Sequence, residues 1–360
     1  MERPLIIAGA PGSPYTRKVI SAARYCRLPY RFLSELSVTD KLPQPRVKLW
    51  PTCYFPDTEE LVPETDSTPL LRKLQTFAPN RKFVPTDPRL AFIDALIEDY
   101  ADEWMTKTIF HYRWTHRADI AKSTRILPLW FEFPLADEAL RDAGEAFAQR
   151  QIGRLGLVGC NPITAPTLED CYQRLVVCLA RCLTDTPFMF GTRPSPADFG
   201  LYGQLSQAAM FDPSTRAIVD EVAPRVTAWT IAMEDLTGVE GGDWIAFDDL
   251  PPPVHDLLCE IGDTYAVFLL ANEAAIDAGE QQVRTTISGR AWEQPVFRYQ
   301  KKCLAVLRGL YAGLSIADRA SVGELLRETG CMKLFDDCVA AETCLPSGGG
   351  EHEQGGHQLV

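Results

Sequence analysis

Residues 5–19 read Leu5-Ile6-Ile7-Ala8-Gly9-Ala10-Pro11-Gly12-Ser13-Pro14-Tyr15-Thr16-Arg17-Lys18-Val19. The apolar run Leu5-Ile6-Ile7-Ala8 has the length of a short buried strand, and Pro11-Gly12 ends it in a turn. Ser13 is a good helix N-cap, Pro14 suits the first helical position, and Val19, Ile20 and Ala23 recur at helical spacing. The unpaired N–H groups and partial positive charge at that helix start favour an anion, a thiolate included, beside Ser13. Taken alone, the same residues also describe a capped helix with no chemistry.

Working outward, Tyr30-Arg31-Phe32-Leu33 reads as a second strand, so the chain opens with a βαβ unit and a parallel pair. An irregular, partly basic stretch follows, with Lys41, Arg46 and Lys48. Then come Trp50-Pro51-Thr52-Cys53-Tyr54-Phe55, a turn at Pro56-Asp57-Thr58, and Glu60-Leu61-Val62, which together predict a hairpin. Thr65-Asp66-Ser67-Thr68-Pro69 opens another helix, with Leu70, Leu71 and Leu74 as its apolar stripe.

This order resembles the thioredoxin-like N-terminal domain of the glutathione S-transferase superfamily. Three segments carry the resemblance. Ser13-Pro14-Tyr15-Thr16-Arg17-Lys18-Val19 is similar to the family's Ser- or Cys-Pro-Tyr-x-Arg-Lys-Val segment, Trp50-Pro51 to its cis-proline step, and Asp66-Ser67 to the Glu/Gln-Ser step that opens its third helix. A fourth match, Gly191-Thr192-Arg193-Pro194-Ser195-Pro196-Ala197-Asp198, resembles the family's Gly-x-x-Pro-Ser-x-Ala-Asp segment, where Ser195 and Asp198 cap a buried helix and serve folding.

The resemblance implies an α/β thioredoxin-like domain followed by an all-α helical domain. It implies that Trp50, before Pro51, pairs its backbone with glutathione like an added strand. Ser67 and the helix mouth would hold the γ-glutamyl carboxylate, with Asp66 facing the amino group. Ser13 would donate to the sulfur and favour its thiolate, the nucleophile in conjugation to a small, mostly apolar electrophile. Asp66 is one methylene shorter than the family's commoner Glu or Gln. With Ser at position 13, no mixed disulfide with glutathione can form there. Cys53, on a strand, is read as packed rather than reactive. A homodimer and a detoxifying role are further implications, no metal is called for, and cytoplasmic residence is the default expectation for a sequence with no cleavable signal pattern. The alternative is a non-catalytic glutathione-binding or scaffolding protein that keeps the fold.

The division expected is residues 1–78 for the glutathione-binding domain, 79–88 for a Pro-rich linker and 89–240 for the helical domain. Leu90, Ile93, Leu96 and Ile97 begin a long helix predicted to run to about His116. Further helices are predicted over Asp137–Leu155, Thr167–Leu183, Ser195–Met210 and Pro224–Leu236. Tyr112 and Trp114, near the distal end of the first, are candidates for the electrophile pocket. Residues 250–345 are an apolar, mostly helical extension with a strand at Val283–Ile287, readable as a lid, an oligomerisation surface or a third small domain. Residues 346–360 are low-complexity and expected to be disordered.

Composition narrows the partners. The 360 residues carry a formal net charge of −12, which disfavours nucleic acid and anionic membrane. No apolar run is long enough to span a bilayer, and the short N-terminal run lacks a cleavable signal pattern. The eleven cysteines include no C-x-x-C pair, and they are read as small buried hydrophobes.

Overall fold

The computed structural model describes residues 3–336. The expected disordered tail, residues 346–360, lies outside the described residues.

The N-terminal unit comprises β1 (Leu5–Ala8), α1 (Pro14–Tyr25), β2 (Tyr30–Leu33), α2 (Leu36–Thr39), β3 (Thr52–Tyr54), β4 (Glu64–Thr65) and α3 (Ser67–Leu74). The sheet order is β2-β1-β3-β4, with β1 parallel to β2, and β3 antiparallel to both β1 and β4. This is the thioredoxin-like domain. All four residues of β1 are buried, because α1 and α3 cover one face and the Ile6–Ala8–Tyr54 cluster fills the other. The second hairpin strand is Glu64–Thr65 rather than Glu60–Val62. Register with Thr52 and Cys53 is set beyond Pro63, and residues 59–62 stay largely exposed.

The helical unit comprises α4 (Pro88–Glu103), α5 (Met105–Thr115), α6 (Arg117–Ile126), α7 (Asp137–Ile152), α8 (Leu155–Val158), α9 (Ala165–Cys182), α10 (Pro196–Ala208), α11 (Pro213–Val222) and α12 (Pro224–Ala232). The long first helix predicted by periodicity is in fact two. The ladder tightens at Trp104, where Lys107 N bonds Trp104 O at 3.1 Å. Trp104 is fully buried and stacks on Trp292 with ring centres 5.1 Å apart. Helices α6 and α11 carry mixed polar faces and escape a search for apolar stripes.

Helix α10 is the hub, and every one of its residues is buried. Its start is fastened as predicted: Asp198 accepts from Ser195 N and Met189 N, both at 2.9 Å. Gly203 lets α1 approach, since a Cβ there would fall 2.6 Å from the Pro14 carbonyl oxygen.

The extension comprises α13 (Pro252–Asp263), α14 (Tyr265–Asp277), the β5 (Gln282–Ile287) and β6 (Arg290–Pro295) hairpin, α15 (Arg298–Ala312) and α16 (Ile316–Glu328). It is not a separate globule. Its apolar side chains join the core of the helical unit, through Tyr265 against Tyr100 and Tyr311 and Phe335 against Phe92. Helix α13 packs on α9, and α15 and α16 lie along α4. Among the described residues no helix is long and apolar enough to cross a membrane.

Candidate functional site

Ser13 is fully buried at the head of α1, with its Oγ accepting from Thr16 N at 3.3 Å. Accepting that bond uses a lone pair and leaves the O–H available to donate. The Trp50–Pro51 peptide is cis. The Trp50 indole lies 6.5 Å from the Phe131 ring. Trp130 rests on the Pro11-Gly12 turn so closely that a Cβ on Gly12 would sit 2.1 Å from its ring. Between that turn and α5 there remains a gap of about 30 Å³, bordered by Trp114, Trp130 and Phe131. It has room for little more than a water molecule.

The two candidate pocket residues therefore part company. Trp114 borders this small gap. Tyr112 is buried, packing on Tyr172 of α9 and stacking 4.8 Å from His116. Of the basic residues before Trp50, Lys48 pairs with Asp40 at 2.7 Å. Cys53 is fully buried and burial pushes its thiol up, so it is packed and unreactive.

Asp66 stands at the head of α3 with φ +77°, a conformation that non-glycine residues seldom adopt. One carboxylate oxygen accepts from Thr68 N at 3.3 Å. The other accepts the hydroxyl of Tyr299, from α15 of the extension, at 2.9 Å. Ser67 is buried beside it, its Oγ accepting from Lys18 Nζ at 3.4 Å.

From Asp66, Ser67, Thr68 and Pro69 a cavity of about 790 Å³ runs between α4 and α15. Tyr15 borders it from α1, and Leu49 from the residue before Trp50. Its floor is α4, whose Asp94, Glu98 and Asp102, and Asp99 and Glu103, repeat every four residues on a buried helix. Lys18 lies behind that floor, fully buried, 2.8 Å from Glu98 and 2.5 Å from Asp102. Arg72 reaches Glu98 from α3 at 2.7 Å. Burial alone would lower the Lys18 ammonium, but Asp102 and Glu98 outweigh it and hold it above its usual value.

The remaining acids lack such a counter-charge. Burial pushes the Asp99 carboxyl up to about 7, against a 2.6 Å hydrogen bond from the Tyr265 hydroxyl. Burial, with Asp99 and Asp102 adding to it, pushes Glu103 up to about 8. Unfolded, both titrate at about 4. Between those values the folded protein binds more protons than the unfolded chain, so stability falls as pH rises. The urea midpoint should decline from about pH 5 to about pH 8.5. Glu103→Gln, neutral throughout, should flatten the decline; an identical slope in that variant would remove Glu103 from the account.

Glu98, Asp102, Glu103 and Tyr299 are the members of this region that a search for family segments passes over, while Lys18 falls inside the first of those segments. The four-residue repeat of acids on α4 is the local signal for the three acids, and Tyr299 has none.

No family model matches the chain, and no curated protein does. Solved structures do resemble it. The beta-etherase LigF from Sphingobium sp. strain SYK-6 is 16% identical over 64% of this chain and 95% of its own, with a TM-score of 0.44. The glutathione transferase GSTFuA3 from Phanerochaete chrysosporium is 14% identical over 68% of this chain and 100% of its own, with a TM-score of 0.44. A glutathione transferase family member from Pseudomonas fluorescens pf-5, solved with two glutathione bound, is 14% identical over 65% of this chain and 94% of its own, with a TM-score of 0.40.

Proposed function

We propose that the chain binds glutathione across the head of α3 and the Ser13–Trp50 cleft, and conjugates its thiolate to a small electrophile. The observation that carries the reading is the head of α3: Asp66, held at φ +77°, and Ser67 open together on a large cavity that also touches Leu49 and Tyr15. A γ-glutamyl carboxylate suits the unpaired N–H groups of that helix start. Its ammonium suits Asp66 and Oδ1 of Asp102, a buried oxygen with no partner among the described residues. The sulfur would then lie toward Trp50–Pro51 and Ser13, whose hydroxyl donates to the thiolate.

Glutathione titration by calorimetry tests this. A charge-assisted hydrogen bond contributes about 1.5–3 kcal/mol, so Asp66→Ala should weaken binding by about tenfold or more. Equal affinity in the variant would sink the assignment of Asp66. A homodimer and cytoplasmic residence go with this reading; light scattering tests the first.

One observation favours a second reading. Ser13 is fully buried, and the gap near its turn holds about 30 Å³. A protein that binds glutathione without turnover fits that geometry, and separates from the first by calorimetric binding in the absence of any conjugating activity.

A further inference from the structure

The cavity between α4 and α15 has two ends of different chemistry. One is acidic. Among its lining residues are five carboxylates, Asp66, Glu98, Asp99, Asp102 and Glu103, against the two bases Arg72 and Lys107. Arg72 holds Glu98 through Nη2 while its Nη1 has no partner among the described residues, Lys18 holds Glu98 and Asp102 from behind the wall, and Lys107 donates to the Val158 carbonyl at 3.0 Å and to Gln294 at 3.3 Å. The extension brings neutral donors to this end: Tyr265 to Asp99, and the Gln300 amide to Glu103 at 3.1 Å. Two buried acceptors on the wall have no partner among the described residues, Oδ1 of Asp102 and Oε1 of Gln300, on residues 5% and 1% exposed. Two unpaired acceptors beside Asp99 and Glu103, half-buried acids with no ion-pair partner among the described residues, suit a cation that brings its own donors.

The other end is apolar. Phe92, Leu307 and Leu314 line it, and at its rim Val306 and Leu310 are 60% and 46% exposed. Gly309 sits between them on α15, and a Cβ there meets nothing within 4 Å. This half is shaped for a hydrocarbon.

We propose that this cavity is a binding site for a cationic amphiphile, an aliphatic amine whose ammonium meets Asp99, Asp102 and Glu103 and whose chain lies between α4 and α15. The charge of the site selects this occupant over the chain's own C-terminal segment, since residues 337–360 carry Asp337, Glu342, Glu351 and Glu353 and neither Lys nor Arg. The inference shares this cavity and Asp102 with the glutathione reading, but it calls on neither Ser13 nor Trp50 and is tested without glutathione, so either can fail while the other stands.

The test is calorimetric titration of the full chain with decylamine, decanol and decanoate, each below its micellar concentration. Decylamine should bind at least tenfold more tightly than either of the others. The isosteric pair Asp99→Asn with Glu103→Gln should weaken decylamine tenfold or more and leave decanol unchanged. Gly309→Phe, placed in open space, should abolish decylamine binding while keeping the wild-type melting temperature. Decanol or decanoate binding as well as decylamine, no decylamine binding, or undiminished binding to Gly309→Phe would each overturn the proposal.

Discussion

Lys18→Met lowers the free energy of unfolding by about 3–5 kcal/mol. The side chain is fully buried, and its ammonium is the shared partner of Glu98 and Asp102. Removing it leaves two buried carboxylates from α4 facing each other. Asp102 loses its only ion-pair partner among the described residues, while Glu98 keeps Arg72. The sign with pH is fixed by the same picture. Without Lys18 the two acids hold protons to higher pH, so the loss should be smaller at about pH 5 than at about pH 8. Adding Asp102→Asn to Lys18→Met should recover part of it, because the amide needs no counter-charge. Denaturant titration of the two variants at both pH values checks each statement. A loss below about 1 kcal/mol, the range of exposed pairs, would mean that water reaches this network.

Ser13→Ala should lower kcat/KM for conjugation of glutathione to an aryl halide by about 10- to 150-fold. That is the rate equivalent of about 1.5–3 kcal/mol for one hydrogen bond to a charged acceptor. The absorbance of the bound thiolate should titrate at higher pH in the variant, a change that a folding defect would not produce. Folding itself should suffer little. Ser13 also caps α1 by accepting from Thr16 N, and loss of such a cap costs about 1 kcal/mol. An unchanged rate in the variant would move activation of the sulfur elsewhere. Enlarging the gap under Trp130 bears on the same question. Trp130→Ala removes the indole that covers the Gly12 turn, so it should raise turnover of bulky electrophiles if the gap limits access to the sulfur.

Several elements of the site were legible because their signals are local. A strand, a Pro-Gly turn, Ser13 as cap and Pro14 at the first helical position all lie within ten residues of one another, and α1 begins where they say. Asp66 heads α3, and Ser195 with Asp198 starts α10, for the same reason. Where a signal depended on partners distant in sequence, reading from sequence went astray. The helix predicted from Leu90 to His116 breaks at Trp104, whose stacking partner is Trp292. Tyr112, aromatic and near that helix's end, packs on Tyr172 of α9, a partner far along the chain that no local signal names. The second hairpin strand falls at Glu64–Thr65 rather than Glu60–Val62, a register that shows only once β3 is beside it.

What the sequence by itself determined is the thioredoxin-like order of strands and helices and the caps that start them, since turns, caps and periodicity act over a few residues. Only the tertiary structure decided which charges are buried and what the extension does. Lys18 meets Asp102 across 84 residues, and Tyr299 meets Asp66 across 233. Whether a carboxylate is solvated, paired or stranded depends on which surfaces close over it. In this protein that closure comes from helices far along the chain, and it converts the acidic face of α4 into the floor of a cavity.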